Sequence, residues 1–245
     1  MKAHYPAHFF AELLSSIRGQ FDKISAYVQE AKRIQLQVLP PSVNNSYGNY
    51  SVENQALRMG LLSIKGIGYQ TVKEIIHVRG ERPFSDLFDF CLRVSLKIVN
   101  RQSIELLILA GAFDETYKNR ASLLASIDQA MEQGELFGGI HIQQSMLPDV
   151  GLKELYTEMD DFSQMQKLGY EKELLGFYIS SHPLKGERKK LLINGYIPLH
   201  DAKMDFNGHK KPIQCAVILN AIKTIRTKRG DPMAFLVIGD ETAEM

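Results

Sequence analysis

A chain of 245 residues, 44% apolar and 23% charged, is long enough for one to three compact domains and too rich in apolar residues for wholesale disorder. Lysine and arginine total 29 against 28 acids, so net charge singles out no partner. No apolar run approaches the roughly 18 residues a bilayer demands, and Met1-Lys2-Ala3-His4-Tyr5-Pro6 lacks the greasy core of a secretory signal, so a cytoplasmic protein with no membrane partner is expected.

Residues 7 to 33 carry two helical periods, Phe9, Phe10, Leu13, Leu14 and Ile17, then Ile24, Tyr27, Val28 and Ala31, with Gly19 between them. A short strand is predicted through Leu36 to Leu39. Pro40-Pro41, Asn44-Asn45-Ser46 and Gly48 then force an irregular loop. From 57 to 117 the pattern predicts short helices joined by tight turns, broken at Gly60, Gly66, Gly68, Gly80, Pro83 and Gly111. Cys91 falls among these and suits a buried small thiol better than a nucleophile. With Cys215 far along the chain, reduced thiols are expected and not a disulfide framework.

One helix is predicted over Arg120 to Gln133, with Leu123, Leu124, Ile127 and Met131 on one side, Ser122 as its cap, and Gly134, Gly138 and Gly139 ending it. The stretch from 134 to 151 has no period and reads as a linker. Two further helices are predicted near 160 to 175 and 185 to 193, with Asp160-Asp161 capping the first. Beyond about residue 196 the period becomes two, through Ile213, Cys215, Val217 and Leu219, then Ala234 to Ile238, which predicts strands. The fold class expected is α+β, mainly helical in the N-terminal two thirds.

Charge is unevenly spread. From Phe206 to Gly230 lie Lys210, Lys211, Lys223, Arg226, Lys228 and Arg229 and no acid, whereas Phe113 to Asp161 holds ten acids against Lys118, Arg120 and Lys153. A purely basic strand region suits a nucleic-acid face, and equally a solvated strand pair.

The most informative segment is Leu61-Leu62-Ser63-Ile64-Lys65-Gly66-Ile67-Gly68, followed by Val72, Ile75 and Ile76 at helical spacing. This is the layout of a helix-hairpin-helix. Gly66 and Gly68 permit unusual backbone angles and leave no side chain between main chain and ligand. Amides there can donate to a phosphate oxygen at the open N-terminus of the following helix. Ile67 would plug the hairpin core, and Lys65 and Lys73 would add charge. Binding of this kind reads backbone and not bases, and weakens with salt. The plainer reading is a chain reversal made with glycine. DNA glycosylases place a lysine two residues past the second glycine; here that residue is Gln70, which argues against base excision.

Several long motifs in order resemble the C-terminal half of the bacterial replicative DNA polymerase III alpha subunit family. Lys2-Ala3-His4-Tyr5-Pro6 and Leu39-Pro40-Pro41-Ser42-Val43-Asn44 look like the end of its fingers. Gly60 to Gly68 is similar to its helix-hairpin-helix, and Phe84-Ser85-Asp86-Leu87-Phe88-Asp89-Phe90-Cys91 and Leu109-Ala110-Gly111-Ala112-Phe113-Asp114 to the helices around it. Glu173 through Leu184 resembles the connector before its OB domain. The resemblance implies distal fingers helices at 1–55, a helix-hairpin-helix DNA-binding domain at 56–117, a helix and linker with a clamp-binding peptide at 118–151, connector helices at 152–195, and a truncated OB-like β-barrel at 196–245.

That family holds its sliding clamp through a peptide with glutamine first and leucine and phenylalanine last, and Gln133-Gly134-Glu135-Leu136-Phe137 matches it. An extended segment would lay Leu136 and Phe137 into an apolar pocket while Gln133 meets the rim. From pattern alone a helix end tucking two apolar residues onto its own core fits as well. The resemblance further implies single-stranded template on Lys223, Arg226, Lys228 and Arg229, duplex DNA on the hairpin, and contact with other replicase subunits. Phe235 could stack on a base or face the barrel core.

Nucleotidyl transfer needs carboxylates holding two metal ions, and this sequence has no Asp-x-Asp, Cys-x-x-Cys or His-Glu-x-x-His. No catalytic residue, metal ligand or cofactor is therefore expected in this stretch; the parent polymerase would use Mg2+ elsewhere. The resemblance thus implies the DNA- and clamp-holding part of a DNA-directed DNA polymerase. The alternative is a free-standing, non-enzymatic DNA-binding adaptor that recruits the clamp.

Overall fold

A computed structural model describes residues 4–137, 156–205, 212–227 and 230–245. They form two compact units, Met1–Ser180 and Ser181–Met245, and the fold class is α+β. In the first unit α1 (Pro6–Ser16) and α2 (Phe21–Arg33) are the two predicted helices. Ala7, Phe10, Ala11 and Leu14 of α1 are buried at the spacing of one helix face.

Residues 57 and 58, at the start of the stretch predicted to be helical, are strand instead. β1 (Val38–Leu39), β2 (Ser51–Glu53) and β3 (Ala56–Arg58) form a small sheet in the order β1-β3-β2, with β1 parallel and β2 antiparallel to β3. Asn54 and Gln55 take positive φ, 49° and 64°, the two-residue reversal that joins antiparallel strands. Every residue of the central strand β3 is buried, so no alternation marks it in the sequence. Arg58 is buried there because Glu53 takes its guanidinium in two bonds, at 2.7 and 2.9 Å, with the Pro40 carbonyl at 2.9 Å and Glu115 at 3.2 Å.

A single 3-10 turn at Leu61–Ser63 leads into α3 (Tyr69–Arg79), then α4 (Leu87–Arg93) and α5 (Arg101–Leu109). The carboxylate of Asp86 and the side-chain oxygen of Asn100 accept from the third backbone N–H of α4 and α5. Phe84, Phe90 and Phe113 are fully buried and meet edge to face, with centroids 4.8 and 5.1 Å apart.

The single helix predicted over Arg120 to Gln133 is two, α6 (Arg120–Ala125) and α7 (Ile127–Phe137). The break falls at buried Ser126, whose hydroxyl donates to the Ser122 carbonyl at 2.8 Å and accepts from Thr157 N at 2.9 Å. Asn119, not Ser122, caps α6, accepting from Ser122 N; the Ser122 hydroxyl accepts from Met159 N instead. Gly134 does not end α7. It lies inside the helix, buried, where an ideal Cβ would overlap the Cys91 carbonyl oxygen and stand 2.8 Å from its carbon.

α8 (Gln164–Leu175) starts later than predicted and is capped by Ser163 in a reciprocal box with Gln166. Asp161 serves a different helix, accepting from Arg120 N at 3.1 Å at the start of α6, and pairs with Lys167.

In the second unit, a 3-10 turn at Lys185–Glu187 precedes α9 (Arg188–Ile193), α10 (Leu199–Asp205) and an antiparallel pair, β4 (Ile218–Arg226) and β5 (Pro232–Gly239). α10 occupies sequence predicted to be β. Leu199 N donates to buried Asp240 at 2.8 Å, and Leu199 and Ala202 are buried, so contacts supplied from the far end of the unit hold that turn. Ile213, Cys215 and Val217 are not in a strand. The two-strand sheet is not a closed barrel. Asp240 also receives Arg188 at 2.8 Å, and Arg188 pairs with Glu241. Among the described residues no helix is long and apolar enough to cross a membrane.

Candidate nucleic-acid interface

The glycine turn sits between the 3-10 turn and α3, so the leading arm of the hairpin is one tight turn and not a full helix. It is fixed from both sides. Lys65 N donates to the Leu174 carbonyl at 2.9 Å, and Ile67 N donates to the Ile64 carbonyl at 3.2 Å. Ile67 is buried while Lys65, Gly66, Gly68, Tyr69, Gln70 and Lys73 are exposed, which gives the apolar plug and polar rim that the sequence pattern suggests.

Gly66 has φ +90°, and an ideal Cβ there would stand 2.7 Å from Leu106 Cδ1. Gly68 is the N-cap of α3 with φ −90°, and nothing lies within 4 Å of its ideal Cβ. The first glycine answers a backbone need and the second leaves open space in front of the helix end. The N–H groups of Gly66, Gly68, Tyr69 and Gln70 find no acceptor among the described residues, and the first turn of α3 has no acid. Unsatisfied amides at a positive dipole end, flanked by two lysines, suit an oxyanion.

The other predicted site residues lie apart from this turn in the chain. Lys223 and Arg226 are exposed on β4 in the second unit, where Lys223 is paired across the strands with Phe235, itself 51% exposed. Phe235 is therefore not a core residue of this two-strand sheet. Lys210, Lys211, Lys228, Arg229 and residues 138 to 151 of the linker predicted over 134 to 151 lie outside the described residues.

Gln133, Leu136 and Phe137 form the last turn of α7, so the expected extended peptide is helical. Gly134, lodged against the Cys91 carbonyl, carries the helix through this point. At offsets of three and four the three side chains share one face even so. Leu136 is 65% and Phe137 38% exposed, so they are not tucked onto the protein's own core either.

Cys91 is fully buried, and burial, with Asp86 nearby, pushes its thiol up to about 12, which removes it as a nucleophile. No three His, Cys, Asp or Glu gather as metal ligands among the described residues. The sequence reading missed a groove beside the hairpin, of about 540 Å³, lined in part by Tyr47, Tyr69 and His77. Its one legible signal is Tyr69, Lys73 and His77 at intervals of four, on a single face of α3.

Residues 35–123 match a family model described as a helix-hairpin-helix motif, and the glycine turn lies within that stretch. The whole chain is 46% identical to DNA polymerase III subunit alpha of Bacillus subtilis (strain 168) over 247 aligned residues, covering 100% of this chain. Proteins of the same name from Staphylococcus epidermidis (strain ATCC 35984) and Staphylococcus aureus (strain MRSA252) are 38% and 35% identical over 98% of it. Along nearly its whole length the sequence is similar to the DNA polymerase III alpha family, and the chain spans 22% of the length of these relatives.

Proposed function

We propose that this chain is the non-catalytic, DNA-holding portion of a DNA-directed DNA polymerase acting in replication. The observation that carries the reading is the exposed, unsatisfied amide cluster from Gly66 to Gln70, with Lys65 and Lys73 beside it. Duplex phosphates accept from these amides while Ile67 anchors the turn. Such contacts add affinity without reading sequence and keep the polymerase on its product. With no carboxylate cluster among its described residues, the chain leaves nucleotidyl transfer and Mg2+ to the rest of the polymerase.

Two further contacts belong to the same reading. Gln133, Leu136 and Phe137 engage the sliding clamp through exposed apolar side chains at the end of α7. Lys223 and Arg226, with Lys228 and Arg229, track the single-stranded template. Other replicase subunits assemble on the same polymerase, in the cytoplasm. The series of name-matched relatives along the whole chain favours this over a free-standing adaptor.

Fluorescence anisotropy with a blunt duplex tests the hairpin. Gly68→Val fills the open space before α3 and should weaken duplex binding about tenfold or more, with log affinity falling linearly in log salt for the native chain. Normal affinity in a folded Gly68→Val chain refutes the phosphate role. For the clamp, Leu136→Ala with Phe137→Ala should abolish clamp capture and leave duplex affinity intact; undiminished capture refutes that contact.

A further inference from the structure

A groove opens next to the glycine turn. Leu62, Val72 and Ile76 give it apolar lining, and Tyr47 and Tyr69 stand at it with 60% and 66% of their surface in solvent. Both aromatic positions are held. The Tyr47 carbonyl accepts from Leu61 N at 2.8 Å and the neighbouring Gly48 carbonyl from Leu62 N at 3.0 Å, which ties the loop to the 3-10 turn. The Arg79 guanidinium lies 5.6 Å from the centre of the Tyr47 ring while donating to the Val43 and Ser46 carbonyls at 3.0 and 2.8 Å. Tyr69 is the first residue of α3, directly beside the free amides.

Lys73 and His77 join Gly48 and Asn49 in the lining, and among the described residues no acid contributes to it and Lys73 pairs with no carboxylate. At about 540 Å³ the space falls within the range that holds small organic ligands, roughly 300–1,000 Å³. Two exposed phenol rings over an apolar floor, with an unpaired cation, are complementary to a flat aromatic heterocycle attached to a phosphate. Stacking platforms of this kind bind bases in any sequence, since every base offers a π-face.

We propose that this groove takes an unpaired nucleotide of a single-stranded DNA segment, its base against Tyr47 and Tyr69 and its phosphate toward Lys73 and His77. A base still paired in a duplex keeps its faces covered by its neighbours, so the site distinguishes an overhang or frayed end from continuous duplex. The inference rests on the reading of the hairpin as DNA-binding, since the first nucleotide would be delivered by a strand already held at the adjacent amides.

The test uses the 245-residue chain with two probes, a blunt duplex and the same duplex bearing a short single-stranded overhang labelled with 2-aminopurine. The native chain should prefer the overhung probe and quench its fluorescence. Tyr47→Ala should lose the quenching and about tenfold or more of the overhang affinity, with blunt-duplex affinity unchanged; Tyr47→Phe should retain both. Equal affinity of the native chain for the two probes, or a full overhang preference in the folded Tyr47→Ala chain, overturns the groove and leaves the hairpin reading standing. Failure to bind either probe overturns the hairpin reading and the groove with it.

Discussion

Gly134→Ala separates two views of one residue. If Gly134 merely ended a helix at the edge of a linker, alanine there would be neutral or would gain up to about 1 kcal/mol of helix propensity. In the fold it lies inside α7 and buried, with the backbone of Cys91 in α4 occupying the place of a methyl group; Leu96 Cδ1 would also stand 3.1 Å away. A backbone carbonyl cannot swing aside as a side chain can, so α4 and α7 must move apart. Overpacking of this kind costs about 1–3 kcal/mol and occasionally more, and it exceeds the propensity gain because main chain has to shift. A net loss of about 1–2 kcal/mol should lower Tm by roughly 2–8 °C for a unit of this size. Thermal denaturation followed by circular dichroism measures it, and a Gly134→Ala chain melting at or above the native temperature refutes the close approach.

Gly66→Ala should cost about 1 kcal/mol or more in urea denaturation, because its φ of +90° and its distance from Leu106 oppose a side chain, whereas Gly68→Ala should change stability by less than about 0.5 kcal/mol; equal losses would contradict the assigned geometry. Burial alone would raise the pKa of Asp240, but the N–H groups of Leu199 and Thr242, the Thr242 hydroxyl and Arg188 outweigh it and hold the carboxyl at about 2. Since an unfolded aspartate titrates near 3.9, this group contributes about 2–3 kcal/mol that is present above roughly pH 4 and is lost as pH falls toward 2. Asp240→Asn should flatten that acid loss in thermal melts of the full chain, and an unaltered acid profile would count against it. With a thiol reagent at pH 8, half-exposed Cys215 should react while Cys91 waits for denaturant; two thiols modified at the same rate in the native chain would show that Cys91 is accessible.

Local signals carried α1, α2, the glycine turn and α3 into the sequence reading, because helical period and paired glycines act over a few residues and are written in the order of the chain. Asp86, Asn100 and Asn119 at their helix starts belong to the same class of signal, although Ser122 was the more obvious choice for α6. The amide cluster at Gly66 to Gln70 was legible for that reason too: both its glycines and its plug are neighbours in sequence.

What the sequence by itself determined is therefore much of the helical framework, the glycine turn before α3, the burial of Cys91 and, through ordered motifs, the family resemblance. Only the tertiary structure decided that Gly134 continues α7 under Cys91, that residues 56 to 58 are the middle strand of a sheet, that 199 to 205 turn helical against Asp240, and that Tyr47 meets the Tyr69 face of α3 at one groove. Each of those outcomes depends on a partner from a distant part of the chain, and a contact across such separation leaves no period or spacing at the residue it governs.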